Sequence, residues 1–513
     1  MNLPAFRSPP WIVFFLVAIF LFIYRASAMA NPPYWDAILG MFHEAIWLAE
    51  HDFNYVKLAR EELGYLAGGP RTYFFSWMPG FYALLMNILP EPRQVFIVLH
   101  VLNVLFAAAT AGVMVAVLRT RVSLPLAIAA TLAMCLQPMF LAQSSMIGSD
   151  MIMVCLSIWA FAAYLKRRHL SAIILMVVAV LVKPTAALMA FCLAGGFVLF
   201  HLKTRKDAWT LCGYLLPAVF FFAWGPLAQR FFFRPDTNPA PGGFFPKGVS
   251  KIDYLQEQIG LMFNQIPDVM ILLLCVIAVH GVLILLALRP NLLHPLRWRA
   301  TLQPFEIPVI CVVALGGLTL HGILLIAWLP RYLLIIYPAL FILLALALKP
   351  LPGKASLPLL IALIALFCAN HHGRFYQPPI LNNGYILERS LEYEVDLALN
   401  QQIAQKLHAD YADRTVLAHW PQAQLLAHPG FGYVTEPVDL IAVERPALSW
   451  YGVPYFGALS IEQRRAEKNV WLDGHNLFGT NLGIRPGLDR QVDVFICKDR
   501  TAALWEKVFR SSN

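Results

Sequence analysis

A chain of 513 residues of which 59% are hydrophobic and only 13% charged, with a mean hydropathy of +0.62, carries too few charges for a soluble protein of this size. The formal charge of +9 is what basic cytoplasmic loops supply in a polytopic protein, so it does not indicate nucleic acid as a partner. Of the eight cysteines, all but Cys497 lie inside apolar runs, which excludes a disulfide framework and a cysteine metal site.

Apolar runs that read as membrane spans fall at 11–29, 95–118, 122–141, 150–165, 169–183, 185–202, 208–226, 267–288, 306–327, 331–348 and 355–370. The first is read as a retained helix, because no small-residue cleavage site followed by a mature soluble chain comes after it. Residues 31–51, NPPYWDAILGMFHEAIWLAEH, read as an amphipathic helix opened by a double proline. The short run FSWMPGFYALLMNILP at 75–90, interrupted by Pro79-Gly80, reads as an interfacial or re-entrant segment. Beyond residue 370 the text turns polar, with a helix expected at 394–408 and strand-like RTVLAH and QVDVFIC at 414–419 and 491–497. The expected fold is therefore a polytopic α-helical membrane protein with about eleven transmembrane helices. Residues 1–370 form its membrane domain, residues 30–94 its first external loop, and residues 371–513 a small α/β domain.

Orientation follows from the basic loops. If 75–90 does not cross, then Arg7, Arg119 with Arg121, Lys166-Arg167-Arg168, Lys203 with Arg205 and Lys206, Arg289 with Arg297 and Arg299, and Lys349 with Lys354 all fall on the cytoplasmic side. If it crosses, every cluster after Arg7 faces outward. Residues 30–94, 227–266 and the C-terminal domain are thus expected on the periplasmic or lumenal side. No Asn-x-Ser/Thr acceptor occurs anywhere in the chain, which favours a bacterial inner membrane over a eukaryotic lumen.

Ionisable side chains at membrane depth cost roughly 2.5–3.5 kcal/mol to insert, so those that persist call for a partner or a function. Arg25, Asp150, Lys183 and Arg331 all fall at the outer boundary, as does Asp36. Cations there run against the positive-inside bias, and fixed positive charge at this level suits an anionic phosphate headgroup; snorkelling to the interface is the alternative account of each one. Asp150 also reads as a helix-capping residue beside Ser149. Asp36 also reads as an acidic residue complementing a helix dipole, but Gly40, one turn on, opens the same face to a ligand. His43 and Glu44 raise a divalent metal, for which no complete ligand set is readable, so no cofactor and no metal site is assigned.

PPYWDA at 32–37, RTYFFSWMPGFYALL at 71–85, QPMFLAQSSMIGSDMIMVCLSIWAFAAYLKRR at 137–168, AVLVKPTAALM at 179–189 and LPRYLLIIYPAL at 329–340 together resemble the GT-C glycosyltransferases. The likeness is to the protein O-mannosyltransferase and lipid A aminoarabinose transferase type, over residues 11–200 and around Arg331. It implies Asp36 as catalytic base and Asp150 as the second acidic residue of the site. Many relatives carry a Lys or His just before the proline of the aromatic stretch, where this chain has Met78. Phosphate binding then falls to Arg71, Lys183 or Arg331. Trp35, His43, Tyr73, Tyr82 and Tyr332 are the expected substrate contacts, although Trp35, Tyr73, Trp77 and Tyr82 also suit an interfacial aromatic belt.

The implied donor is a polyprenyl-phosphate-linked sugar among the membrane lipids, and the implied acceptor a hydroxyl of a lipid, polysaccharide or protein. The sequence agrees in holding neither a P-loop nor an Asp-x-Asp nucleotide-sugar motif on its cytoplasmic side. Two other readings remain open: a lipid-linked oligosaccharide polymerase or ligase, and a lipid or sugar transporter that uses similar intramembrane charges.

Overall fold

The computed structural model describes residues 8–34, 37–60, 76–89, 91–231, 256, 259–260, 262–263, 265–288, 330–376, 388–410, 416–418, 422–438, 440–442, 470–472 and 494–496. Helices dominate. In chain order they are α1 (Pro9–Tyr24), α2 (His43–Glu50), α3 (Tyr55–Arg60), α4 (Met78–Ile88), α5 (Pro92–Leu118), α6 (Leu124–Cys135), α7 (Pro138–Ser144), α8 (Asp150–Leu165), α9 (His169–Val182), α10 (Ala187–Phe200), α11 (Arg205–Phe231), α12 (Pro267–Leu288), α13 (Tyr337–Leu348), α14 (Gly353–Ala369), α15 (Tyr393–Asp410) and α16 (Gln422–Ala427). A π-helical turn, Ala37–Phe42, leads into α2, and a 3-10 segment, Pro330–Ile336, leads into α13.

Among the described residues, Pro92–Leu118 and Pro330–Leu348 are each long and apolar enough to cross a membrane, and several shorter apolar helices accompany them. The span expected at 122–141 is not one straight helix. It breaks into α6 and α7 with a bend of 71°. Pro138 has no amide proton and disfavours helical geometry at the residue before it. Gln137 is accordingly extended, and its side-chain oxygen accepts from the amides of Met139 and Phe140 at 2.8 and 3.1 Å, restarting the helix in a new direction. The segment at 75–90 yields only the short α4. The span expected at 306–327 lies outside the described residues.

The bundle is built on α1 packed along α5 and on α8 packed against both α5 and α9. Small residues permit the first of these contacts. Ala108, Ala111 and Gly112 of α5 are buried or backed by α1, and a Cβ at Gly112 would meet the Pro10 carbonyl oxygen at 3.0 Å. That contact sets the start of α1 beside the end of α5, so the two helices run antiparallel and Arg25 and Arg119 lie at opposite ends of the bundle. The same two ends recur elsewhere. Arg119, Arg121, Lys166, Arg167, Arg168, Lys349 and Lys354 are exposed, whereas Arg25, Lys183 and Arg331 are buried at the other ends of their elements.

Four three-residue strands form one sheet in the order β2-β1-β3-β4, with β1 Val416–Ala418, β2 Leu440–Ala442, β3 Val470–Leu472 and β4 Val494–Ile496. Strand β1 is parallel to β2 and β3, and β4 is antiparallel to β3.

Candidate functional site

Four buried charges meet where α8 begins and α9 ends. Helix α9 stops at Val182 because Pro184 pushes the residue before it into extended geometry, and Lys183 sits there with φ −150° and ψ 126°. Its ammonium donates to both carboxylate oxygens of Asp150, at 2.7 and 2.8 Å. Ser149, the N-cap of α8, makes no side-chain cap bond, and the Asp150 carboxylate is held by Lys183. Asp150 is therefore a charge partner and not merely a helix cap.

Arg331, in the 3-10 segment, pairs with Glu388, and both side chains are only 3% exposed. Tyr332 stands beside both cations, its ring centre 5.1 Å from Lys183 Nζ and 5.4 Å from the Arg331 guanidinium carbon. Electrostatics couples the pairs. Burial pushes Glu388 up to about 7; Arg331 and Lys183 oppose that rise and Asp150 adds to it. Gln143 of α7 donates to the Glu388 backbone carbonyl at 3.1 Å, fixing that residue to the bundle.

The sequence-predicted Asp150, Lys183, Arg331 and Tyr332 are thus brought together. Tyr82, 1% exposed on α4, lies in the field of Asp150 and stacks obliquely on Phe42, with ring centroids 5.3 Å apart. It belongs to the packed interior, whereas Trp77 is exposed. The Ser76 hydroxyl donates to the Val182 carbonyl at 3.1 Å and accepts from the Met78 amide at 3.2 Å. The start of α4 at Met78 is therefore tied to the residue preceding Lys183. His43 is buried and faces Phe431. Among the described residues no group of three His, Cys, Asp or Glu side chains is arranged to hold a metal ion. Trp35, Asp36, Arg71 and Tyr73 lie outside the described residues.

The chain on both sides of positions 35 and 36 is well anchored. His100 bonds the Asn31 carbonyl at 2.9 Å, the Tyr433 hydroxyl donates to the Pro33 carbonyl at 2.9 Å, and Tyr34 packs on Tyr393 with ring centroids 5.5 Å apart. On the far side, Ala37, Ile38, Met41 and Phe42 are buried.

Arg25 and a set of charged residues beyond position 387 complete this end of the molecule. Arg25 donates to the Ser145 hydroxyl at 2.7 Å and the Tyr393 hydroxyl at 3.1 Å, and pairs with Glu394. Arg389 holds Glu392 at 3.0 Å and the Gln265 carbonyl at 3.0 Å. Glu388, Arg389, Glu392 and Glu394 lie just before or in the first turn of α15, and their sequence signal is a density of charge at the start of a helix.

No protein-family model matches the sequence, and no curated protein matches it. Solved structures do. ArnT from Cupriavidus metallidurans in its apo state superposes over 94% of this chain and 97% of that one, with a TM-score of 0.51 at 15% identity. The same protein bound to undecaprenyl phosphate superposes over 95% and 98%, with a TM-score of 0.52 at 14% identity. The likeness establishes the fold: this chain has the architecture of ArnT, the type its sequence resembled, and is a helical membrane protein.

Proposed function

We propose that this chain, on the fold it shares with ArnT, is a membrane glycosyltransferase that moves a sugar from a polyprenyl-phosphate donor to an acceptor hydroxyl on the extracytoplasmic face. The observation that carries the reading is the meeting of two buried cations, Lys183 and Arg331, around one tyrosine at the end of the bundle opposite its exposed basic residues. Buried cations of this kind suit a lipid phosphate at headgroup depth, and a protein of the same fold has been crystallised with undecaprenyl phosphate. The contact between Ser76 and Val182 supports Lys183 as the stand-in for the cation missing at Met78.

In this reading Asp36 accepts the proton of the acceptor hydroxyl, the acceptor oxygen attacks the anomeric carbon, and the lipid phosphate leaves from the opposite face, inverting that centre. Charge developing on the ring resembles an oxocarbenium ion, and Lys183 and Arg331 stabilise the departing phosphate. Anchors at Asn31, Pro33 and Tyr34 support Asp36 in this role, because a base must be held within hydrogen-bond reach of the proton it takes. A span count near eleven, a division of the chain at residue 370 and a bacterial inner membrane with the site facing the periplasm belong to the same proposal. The exposed cations gathered at the opposite end support that orientation.

A positioned base typically contributes about 100-fold to 10,000-fold. Asp36→Asn is accordingly expected to abolish sugar transfer in reconstituted membranes while expression and insertion stay normal. Turnover near wild type in that variant refutes the assignment. Radiolabelled sugar that crosses vesicles without becoming attached to an acceptor indicates a transporter instead.

A further inference from the structure

We propose that Glu388 and the donor phosphate compete for Arg331, and that Glu388 takes a proton from solvent when the phosphate wins. This rests on the reading that Lys183 and Arg331 hold the donor phosphate, and deepens it by adding a proton-coupled step to binding.

Lys183, Arg331, Asp150 and Glu388 are each at most 5% exposed, and ionised they sum to zero. A lipid phosphodiester brings one negative charge into this cluster, and an uncompensated buried charge is strongly unfavourable. Neutralising one carboxylate removes the excess. The two carboxylates are held differently. Asp150 accepts from Lys183 through both of its oxygens, whereas Glu388 pairs with Arg331 through Oε2.

The surroundings of Glu388 point the same way. It is faced by Arg331 from the 3-10 segment, Asp150 from the head of α8 and Lys183 from the end of α9, and its backbone is held by Gln143 of α7. A second anion beside Arg331 weakens the larger of the two attractions that favour its ionised form there while leaving its burial unchanged, so the carboxyl binds its proton more tightly. A value already pushed up to about 7 places that change in the physiological range. A neutral Glu388 no longer competes as an anion with the phosphate for the guanidinium of Arg331.

The test uses the full-length protein in detergent micelles and a short-chain prenyl phosphodiester, a probe whose single charge does not titrate near neutrality. Isothermal titration in two buffers of different ionisation enthalpy reads the protons taken up with each lipid. Below about 7 uptake is expected to approach zero, because Glu388 already carries its proton. Above that point uptake rises toward one, and affinity weakens roughly tenfold for each pH unit. Glu388→Gln is expected to flatten both profiles and to bind at alkaline pH as tightly as the wild type does at acid pH. Wild-type binding with no proton uptake and a flat pH profile overturns the coupling and leaves the proposed function standing; the same holds if Glu388→Gln keeps the wild-type slope. No binding at any pH overturns the proposed function and this inference together. The two-buffer measurement on the wild type needs no variant, so a poorly folding Glu388→Gln does not blunt the test.

Discussion

At the scale of single residues, Asp150 and Lys183 set up a contrast between stability and activity. Both are buried and bonded through two short hydrogen bonds. Removing one member of such a pair leaves a buried charge uncompensated, at a cost of about 3–5 kcal/mol. Asp150→Asn and Lys183→Met should each lower the thermal midpoint markedly, and the double variant should recover most of the loss because neither charge is left behind. If Lys183 serves only the fold, sugar transfer recovers with it. The proposed function requires that transfer stay lost in the double variant, with the deficit in donor use. Tyr332 offers a gentler probe: its ring touches both cations, and cation–π contacts in desolvated places are worth up to about 2 kcal/mol. Tyr332→Phe should leave the donor KM close to wild type, and Tyr332→Leu should raise it by roughly 5- to 30-fold. Equal effects of the two substitutions point to the hydroxyl instead of the ring.

At the scale of elements, the contact between the C-terminal region and residues 31–34 depends on one backbone conformation. Gly432 follows the short 3-10 turn Pro429–Phe431 with φ 78°, a left-handed geometry that residues with a Cβ adopt at a cost. A Cβ there would also collide with the Phe96 ring of α5 and meet Pro32 Cβ at 3.4 Å. Gly432→Ala should therefore weaken the docking that lets Tyr433 hold Pro33, and faster limited proteolysis between α16 and the strand β2 would report it. Unchanged cleavage kinetics contradict that role. The sequence announces some of these elements and hides others. Helix α8 begins at Asp150 and α12 spans 267–288 as read, because a polar residue or a proline opens each apolar run abruptly. The run at 122–141 conceals its break, since Gln137 and Pro138 interrupt it for only two residues and apolar text continues on either side. Lys183 and Arg331 were legible because each cation stands at the end of an apolar run opposite the one where the other basic residues gather. Glu388 and Glu394 were not, because their partners Arg331 and Arg25 are 57 and 369 residues away and no local period records such pairings.

At the scale of the whole molecule, those distant pairings make the region after residue 370 part of the site. Arg25 and Arg331 are 4% and 3% exposed, and their carboxylate partners, Glu394 and Glu388, both come from beyond that point. Arg389, fully buried, reaches back to the Gln265 carbonyl just before α12, and its guanidinium carbon stands 4.8 Å from the Tyr376 ring centre. A chain ending at Tyr376 would keep α1 through α14 yet leave two deeply buried guanidinium groups without their carboxylates. At about 3–5 kcal/mol for each broken pair, that loss is comparable to the whole stability of an ordinary domain, about 5–15 kcal/mol. Such a truncation is expected to yield no monodisperse protein in detergent, whereas full-length Arg25→Met paired with Glu394→Gln should remain foldable because the charges leave together. A truncated chain that melts as the full-length protein does would show that the C-terminal region is an appendage, and would remove Glu388 from any part in the site.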